Sequence, residues 1–329
     1  MSTSLVTGGA GFIGSAVVRA FTAAARPYRV FDRAVDPRDD IGDLARVRAA
    51  MDGCDTVIHL AAKVGLGVDL SDIDDYVRQN DLGTAVVLRA AADLGISRIV
   101  YASSMVVYGE GAYACPAHGP VSPPPRREDD LADGRFEPAC PDCGQDLVPG
   151  LVPESAALDP RNVYAATKVH GEQLAAIWCR ETGGRVAALR FHNVYGPGMP
   201  RDTPYAGVAS LFRASIEQGQ PPQVFEDGRQ RRNFVHVDDV AQAVLRAAAV
   251  DLPAGVTAVN IGSPNVSTIG EMAVTLAHAL HGPSPVVTGR YRLGDVRHIT
   301  ADCTAARSLL GWQAEITLAD GIARLVAVS

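Results

Sequence analysis

The sequence lacks the features that mark several large classes of protein. Basic residues do not exceed acidic ones, since 30 lysines and arginines stand against 37 aspartates and glutamates, for a formal net charge of −7. Such a chain has no basic face for a phosphate backbone, so we expect no nucleic-acid partner. No stretch approaches the roughly 20 apolar residues that a bilayer-spanning helix needs, so we expect no membrane partner.

Signals for secretion and for disulfides are also scarce. Residues 1–4 lead into an apolar strand without a preceding basic region, which predicts a cytoplasmic protein. Only six cysteines are present, and in a reducing compartment we expect thiols or metal ligands. The length of 329 residues suits one large domain with a smaller lobe, or two domains.

Short apolar runs alternate with helical stretches in the first hundred residues. This alternation predicts parallel βαβ units, with a helix over residues 15–25. We expect an α/β fold, a Rossmann doubly wound parallel sheet over residues 1–190 with a smaller C-terminal α/β lobe over 191–329 interleaved with it. Residues 111–152 are rich in proline, charge and cysteine, resemble neither helix nor strand, and are predicted as an insertion. The runs predicted as strands are 4–6, 29–31, 56–60, 98–102 and 186–189, and a second long helix is predicted over 163–181.

A glycine-rich loop follows the first predicted strand. Gly8, Gly11 and Gly14 stand between this strand and a predicted helix. Glycines allow a tight turn and close approach of the backbone to a pyrophosphate, and the helix N-terminus supplies amide donors. The spacing differs by one residue from the usual dehydrogenase pattern. An ordinary strand-to-helix turn is the alternative interpretation.

An acidic residue ends the second predicted strand. Asp32 lies about twenty residues past the loop, where a carboxylate accepts hydrogen bonds from an adenosine ribose and repels a 2′-phosphate. The position favours NAD over NADP. Arg33 leaves the choice open, because a guanidinium can hold a 2′-phosphate.

Three polar residues predict hydride chemistry. Tyr164 and Lys168 stand four apart on a predicted helix and therefore share one face. A lysine cation and a positively charged nicotinamide would favour the phenolate form of a tyrosine, which could then accept a proton from a sugar hydroxyl. Ser104 follows a predicted strand and could bridge the substrate oxygen and Tyr164.

The insertion carries two knuckle-like motifs. Cys115 and His118 form a Cys-x-x-His pair, and Cys140 and Cys143 form a Cys-x-x-Cys pair, each followed by a glycine. Two such pairs provide the four ligands of tetrahedral zinc, which predicts a structural rather than a catalytic metal. The insertion joins residues 108–109 to the helix of Tyr164, so we expect it to form a lid or wall beside the substrate. Free surface thiols are the alternative.

Taken together, these motifs resemble the extended short-chain dehydrogenase/reductase family, in its NAD-dependent epimerase/dehydratase branch. The resemblance covers nearly the whole chain, and further matching segments are residues 57–62, 80–84, 189–197, 232–240 and 292–296. The resemblance assigns the catalytic role to Ser104 rather than to Ser103. It also implies a homodimer through a helix bundle that includes the Tyr164 helix. His59 and His236 lie in strand-like contexts and are predicted to be structural.

The resemblance also implies binding roles. A pair lining the adenine pocket corresponds to Asp43 and Leu44, although a solvated surface acid is the alternative for Asp43. The implied cofactor-binding residues are Gly8, Gly11, Phe12, Ile13, Gly14, Asp32, Asp43, Leu44, Leu60, Ala61, Ala62, Asn80, Tyr164 and Lys168. The implied substrate-binding residues are Ser104, Tyr108 and Asn193, with Arg232 and Arg292 on the diphosphate of a nucleotide sugar, where guanidinium groups match phosphate oxygens.

One local departure narrows the expected reaction. Met105 and Val106 stand where family members that dehydrate sugars across C5 and C6 have an Asp-Glu pair. We therefore expect a nucleotide-sugar 4-epimerase with bound NAD, and residues 63–67, 103–110 and 198–205 resemble actinobacterial dTDP-L-rhamnose 4-epimerases. An NAD(P)H-dependent 4-ketoreductase and a catalytically inactive nucleotide-binding protein remain as alternatives.

Overall fold

A computed structural model describes residues 2–65, 70–200 and 207–327. The strands are β1 (Ser4–Thr7), β2 (Tyr28–Phe31), β3 (Thr56–His59), β4 (Arg98–Ser104), β5 (Tyr113–Cys115), β6 (Gly119–Val121), β7 (Val148–Pro149), β8 (Arg185–Phe191), β9 (Asn193–Tyr195), β10 (Gln223–Val224), β11 (Arg231–Arg232), β12 (Phe234–His236), β13 (Gly255–Ile261), β14 (Ser267–Thr268) and β15 (Val286–Val287). The helices are α1 (Phe12–Ala23), α2 (Leu44–Met51), α3 (Ile73–Tyr76), α4 (Gly83–Asp93), α5 (Glu128–Ala132), α6 (Val163–Thr182), α7 (Val208–Glu217), α8 (Val237–Ala249), α9 (Ile269–Ala279), α10 (Thr304–Leu310) and α11 (Leu318–Ala327). A π-helical segment, Val77–Leu82, joins α3 to α4, and a 3₁₀ turn, Met105–Tyr108, follows β4.

The central sheet has six parallel strands in the order β13-β8-β4-β3-β1-β2. Thr7 pairs with Phe31 on one side and with His59 on the other, so β2 and β3 flank β1. The strand order reverses at β1, and a crevice opens at the carboxyl ends of the strands at such a point. The predicted Rossmann class is confirmed, and β13 shows that the C-terminal half contributes a strand to this sheet.

Both faces of the sheet are covered, which explains why its strands read as continuous apolar runs. Successive residues of β1 point to opposite sides: Val6 packs with α1 and α8, whereas Leu5 packs with α2, α4 and α6. Both side chains are 0% exposed. Full burial of such a side chain contributes roughly 1.5–3 kcal/mol, so a polar substitution in either position would remove a large part of the net stability.

A separate apolar cluster forms the core of the C-terminal lobe. Phe212 of α7, Met272 and Leu276 of α9 and Ile322 of α11 are buried together. A capping box starts α9, because Thr268 and Glu271 exchange side-chain-to-backbone hydrogen bonds of 3.0 and 2.7 Å.

Among the helices in the described part of the chain, none is long and apolar enough to cross a membrane.

The insertion is more regular than expected. We predicted neither helix nor strand over residues 111–152, but β6, β5 and β7 form a small antiparallel sheet, and α5 lies between β6 and β7 in the chain. Tyr113, Cys115, Cys140 and Leu147 are buried against one another beneath it. These strands are two or three residues long, too short for an alternating pattern to stand out in the sequence.

Candidate active site and metal cluster

The glycine loop brings three parts of the chain into close contact. Gly8 has a φ of +70°, and a Cβ atom there would lie 2.7 Å from the backbone nitrogen of Ala61. A Cβ at Gly14 would lie 2.0 Å from the carbonyl oxygen of Gly8. Gly11 precedes α1 and offers no side-chain cap, so the first amides of α1 are free to bind an anion. The residues fit a dinucleotide pyrophosphate.

A cavity of about 790 Å³ opens beside this loop at the carboxyl ends of the strands. It contains both the predicted cofactor loop and the predicted catalytic residues. The predicted site residues that line it are Gly8, Gly11, Phe12, Ile13, Gly14, Asp32, Leu60, Ala61, Ala62, Ser104, Tyr164 and Lys168. Its volume lies within the range of small-molecule and cofactor sites.

Two elements position the three polar residues. Helix α6 begins after Asn162, whose side chain accepts a hydrogen bond of 2.8 Å from Ala165 N, and it presents Tyr164 and Lys168 to the end of β4. The Lys168 ammonium donates to the carbonyl oxygen of Ala102 at 2.7 Å and lies 5.6 Å from the centre of the Tyr164 ring. The Ser104 hydroxyl hydrogen-bonds to the Tyr164 phenol.

Burial dominates the acid–base properties of this group. It raises the pKa of Tyr164 to about 12, although the hydrogen bond with Ser104 acts to lower it. Burial also lowers the pKa of Lys168 to about 8, while nearby Glu172 opposes that shift. The protein side chains alone therefore do not favour the phenolate that the sequence predicted, and a further positive charge is needed to ionise Tyr164 near neutral pH.

The chain contains only two lysines, and both line the cavity. Sequence reasoning gave no role to the second, Lys63. Its ammonium pairs with Asp72 at 2.8 Å and with Asp75 at 2.7 Å, and it lies 4.8 Å from the centre of the buried Tyr76 ring. The Tyr76 ring centre is in turn 6.4 Å from that of Tyr164.

Two of the sequence motifs are only partly described. Residues 66 and 67 of the 63–67 motif and residues 201–205 of the 198–205 motif lie outside the described residues.

Asp32 lies at the mouth of the cavity, next to the glycine loop. Its carboxylate accepts hydrogen bonds from Ala10 N at 3.0 Å and from Ala34 N at 2.9 Å. Arg33 also lines the cavity and donates to the side-chain oxygen of Gln79. The carboxylate thus ties the end of β2 to the loop and keeps lone pairs available for a ribose.

Asp43 and Leu44, the pair predicted to line an adenine pocket, do not line this cavity. Asp43 is exposed and serves as the N-cap of α2, because its carboxylate accepts hydrogen bonds from Ala45 N and Arg46 N. Leu44 begins the helix. Asp39 and Ile41, a few residues earlier, line the cavity instead. An acid at the start of a helical stretch is an ordinary N-cap signal, so the position of Asp43 as a cap could have been predicted from the sequence.

Asn80 does not face the cavity either. It is 3% exposed, and its amide donates to Thr167 Oγ1 at 2.9 Å and to Lys63 O at 3.0 Å. Its side-chain oxygen accepts from Lys63 N at 2.8 Å. Asn80 therefore links the segment after β3 to the helix that carries Tyr164, and it does not line the cavity that holds most of the other predicted cofactor residues.

A buried polar network surrounds the other predicted residues near β4. Ser103 donates to Glu172 at 2.5 Å, and Glu172 pairs with Arg190 at 2.7 Å. Tyr108, expected to bind substrate, is 4% exposed, accepts from Arg190 at 2.8 Å and donates to Asn260 at 2.7 Å. Tyr108 thus belongs to the core. The Ser103 hydroxyl is used by Glu172, whereas Ser104 is the serine that lies beside Tyr164.

The remaining predicted substrate residues do not line this cavity. Asn193 lies in β9 with its side-chain oxygen buried and unbonded within the described chain. Arg232 donates to the carbonyl oxygens of Arg297 at 2.9 Å and Val296 at 2.8 Å, so carbonyls orient its guanidinium without neutralising it. Arg292 is exposed and pairs with Asp295 at 3.1 Å. Burial lowers the pKa of Arg232 to about 10, which leaves it charged at neutral pH.

His59 and His236, the two histidines predicted to be structural, hold neighbouring segments of the chain by hydrogen bonds. His59 is buried and hydrogen-bonds through its ring nitrogens to Thr7 at 2.8 Å and to Thr84 at 3.2 Å. Burial lowers its pKa to about 3, so it stays neutral. His236 accepts from Asp238 N at 3.2 Å and caps α8.

The four predicted metal ligands come together. The ligand atoms of Cys115, His118, Cys140 and Cys143 all lie within 4.8 Å of one another. Cys115 and Cys140 are buried, whereas His118 and Cys143 are exposed. Gly119 and Gly144, which follow the two knuckles, have φ values of +75° and +72°. Three thiolates and one imidazole make a complete tetrahedral set for zinc.

The insertion was also expected to form a lid or wall beside the substrate. None of the cavity-lining residues in the described chain belongs to the insertion, so no such wall is seen at this cavity.

Comparisons with known proteins agree with this architecture. The profile of the NAD dependent epimerase/dehydratase family matches residues 4–138 and 145–262. The chain is 33% identical to the dTDP-L-rhamnose 4-epimerase of Burkholderia thailandensis, over 98% of this chain and 93% of that protein. It is 28% identical to the UDP-glucose 4-epimerase of Mycolicibacterium smegmatis, over 98% and 97%. The structure of MoeE5 in complex with UDP-glucuronic acid and NAD is similar with a TM-score of 0.79 and 30% identity, covering 99% of this chain and 98% of that one.

The chain therefore belongs to the NAD dependent epimerase/dehydratase family, as the motifs in its sequence indicated.

Proposed function

We propose that the protein is a nucleotide-sugar 4-epimerase that works with tightly held NAD. The observation that carries the proposal is the position of Ser104, Tyr164 and Lys168 on the same cavity as the glycine loop. Two relatives with 4-epimerase names, from Burkholderia thailandensis and Mycolicibacterium smegmatis, match nearly the whole chain. Their sugars differ, so we propose a dTDP- or UDP-hexose, with a dTDP-6-deoxyhexose favoured by the first of them.

NAD would be held by the glycine loop, the N-terminus of α1 and Asp32. NAD bound there would supply the acceptor and donor of a hydride at C4 of the sugar, which is the chemistry that inversion at C4 requires. Tyr164 takes the proton of the C4 hydroxyl and later returns it, and Ser104 holds the same oxygen by a hydrogen bond. Lys168, held by Ala102, provides the cation that stabilises the phenolate.

Residues after β4 argue against dehydration. Met105 and Val106 begin a 3₁₀ turn in which Val106 N donates to the Ser104 hydroxyl oxygen, and neither side chain can transfer protons. Hydride chemistry at C4 is thus the chemistry that the described residues can perform. A 4-ketoreductase is the second candidate, because Arg33 lines the cavity next to Asp32 and could hold the 2′-phosphate of NADPH.

The nucleotide released on denaturation distinguishes the two candidates. A 4-epimerase should release about one equivalent of NAD and should change the C4 configuration of a dTDP- or UDP-sugar, followed by NMR. Protein that releases no nucleotide and consumes NADPH with a 4-keto sugar would identify a reductase. Tyr164→Phe that keeps its nucleotide and loses all turnover would exclude an inactive nucleotide-binding protein.

We further propose a structural zinc on the Cys/His cluster and a cytoplasmic homodimer. Ile73, Val77 and Leu82, which precede α4, and Ile177 of α6 are 43–49% exposed. Apolar side chains of this size on adjacent helices suit an isologous helix-bundle interface. Ile177→Asp should convert the dimer to a monomer in light scattering, whereas a monomeric wild type would refute the proposed assembly.

A further inference from the structure

Two charged residues of the insertion form ion pairs with the C-terminal lobe. Arg126, just before α5, has a 5% exposed side chain and pairs with Glu226 in the turn after β10. Glu137, between α5 and Cys140, is 31% exposed and pairs with Arg297 in the segment after β15. Glu137 stands three residues before Cys140, in a stretch held by hydrogen bonds from Leu147 N to Pro138 O and from Cys140 N to Gln145 O. These bonds tie the backbone next to Glu137 to the Cys140–Cys143 knuckle.

The partner of Glu137 is Arg297, whose side chain is completely buried. Glu137 accepts from its Nε at 3.0 Å and from its Nη2 at 2.6 Å. The same guanidinium donates to Glu226 at 2.9 Å and to Asp227 at 2.7 and 2.9 Å. The second oxygen of Glu137 contacts His298 Nε2 at 2.8 Å. One cation thus joins carboxylates from the insertion and from the turn after β10.

This turn and the backbone of Arg297 hold the groups expected to bind the nucleotide. Arg232 donates to the carbonyl oxygen of Arg297, and its charge has no carboxylate partner among the ion pairs of the described chain. Phe225, next to Glu226, lies under the guanidinium groups of Arg290 and Arg292, at 5.2 and 5.6 Å from its ring centre. Glu226 itself has a φ of +52°, an unfavourable value for a non-glycine residue that its surroundings must maintain.

We propose that Glu137 is a positioning residue for the nucleotide diphosphate of the substrate, acting through Arg297 on Arg232. The inference rests on the proposed function, since it assumes that Arg232 meets a nucleotide sugar. The insertion would then contribute to substrate affinity from outside the cavity of the chemical step. Its effect should appear in KM and in nucleotide affinity and leave the chemical step and the bound NAD unchanged.

The test uses the full-length holoenzyme and titrates UDP and dTDP separately by calorimetry. Glu137→Gln should bind the nucleotide that the wild type prefers at least tenfold more weakly and should raise KM by a similar factor, with kcat within threefold and NAD content unchanged. Asp129→Asn, an 83% exposed acid of the same insertion, is the matched control and should leave all these quantities unchanged. A lower unfolding temperature with unaltered nucleotide affinity would show a merely structural role and overturn the proposal.

Two further variants keep the test decisive. Glu137→Asp retains the charge on a shorter side chain and should show a smaller loss of affinity; if Glu137→Gln does not fold, wild-type affinity in this variant overturns the proposal. Arg232→Ala should abolish nucleotide binding. If wild type and Arg232→Ala bind both nucleotides equally, or the wild type binds neither, the proposed function fails and not the role of Glu137 alone.

Discussion

Asn80 donates a hydrogen bond from its side-chain amide to the hydroxyl of Thr167, 2.9 Å away and 87 residues later in the chain. Thr167 directly precedes Lys168 and donates to the carbonyl oxygen of Tyr164 at 2.9 Å. Through its other bonds to the backbone of Lys63, Asn80 couples both lysines of the chain. The helix that carries Tyr164 and Lys168 is therefore held in place by a residue that does not line the cavity.

Replacement of Asn80 should disturb this coupling. Asn80→Ala leaves Thr167 and both backbone groups of Lys63 without their buried partner, which costs about 1–3 kcal/mol for each unsatisfied group. We expect a lower unfolding midpoint in urea and a kcat reduced by about one to two orders of magnitude, since small misplacements of catalytic groups are costly. Gln173→Ala removes an exposed carboxamide from α6 and should change neither quantity. Equal kcat in both variants would contradict the coupling.

Lys168 should control the alkaline side of the pH profile. Burial lowers its pKa to about 8, so the ammonium is charged below that pH and loses its proton above it. Tyr164 has a pKa raised to about 12 and depends on that cation to ionise. We expect kcat to rise with pH up to about 8 and then to fall. A kcat that continues to rise to pH 10 would show that the charge of Lys168 is not needed.

The arginine variant provides the control for this assignment. Lys168→Arg keeps a positive charge at every accessible pH. Its kcat should be lower because the planar guanidinium does not fit the bond to Ala102, but the fall above pH 8 should disappear. A fall that persists in Lys168→Arg would assign it to another group.

Asp32 and Arg33 should set the choice of cofactor together. Asp32→Ser removes the charge that repels a 2′-phosphate and leaves Arg33 at the same edge of the cavity. We expect NADP affinity relative to NAD to rise at least tenfold, or about 1.4 kcal/mol, in binding titrations. The double variant Asp32→Ser/Arg33→Ala should lose this gain, because the guanidinium supplies the attraction. An unchanged ratio in the single variant would remove Asp32 from the selection of cofactor.

The sequence predicted best those features that depend on local spacing. The glycine loop, the Tyr164–Lys168 pair and the two knuckles each lie within a few residues, so their geometry follows from one turn or one helix. The buried partners of Tyr108 and Asn80 had no sequence signal, because Asn260 and Thr167 lie 152 and 87 residues away. The Glu137–Arg297 pair, 160 residues apart, had no sequence signal at all, since only tertiary packing brings an insertion onto a distant lobe.

The Cys/His cluster allows a sharp test of the proposed zinc. Cys143 is exposed, so Cys143→Ser removes a ligand with little loss of packing, and any fall in stability reports on the metal. We expect about one zinc per chain in the wild type by elemental analysis and little in the variant. The unfolding temperature should fall by several degrees, since about 1 kcal/mol shifts it by roughly 2–4 °C in domains of 150–250 residues. Cys54→Ser, at a half-buried thiol outside the cluster, should keep its zinc. Wild-type protein with less than about a tenth of an equivalent, together with a fully stable Cys140→Ser, would leave the four side chains as free thiols and an imidazole rather than a metal site.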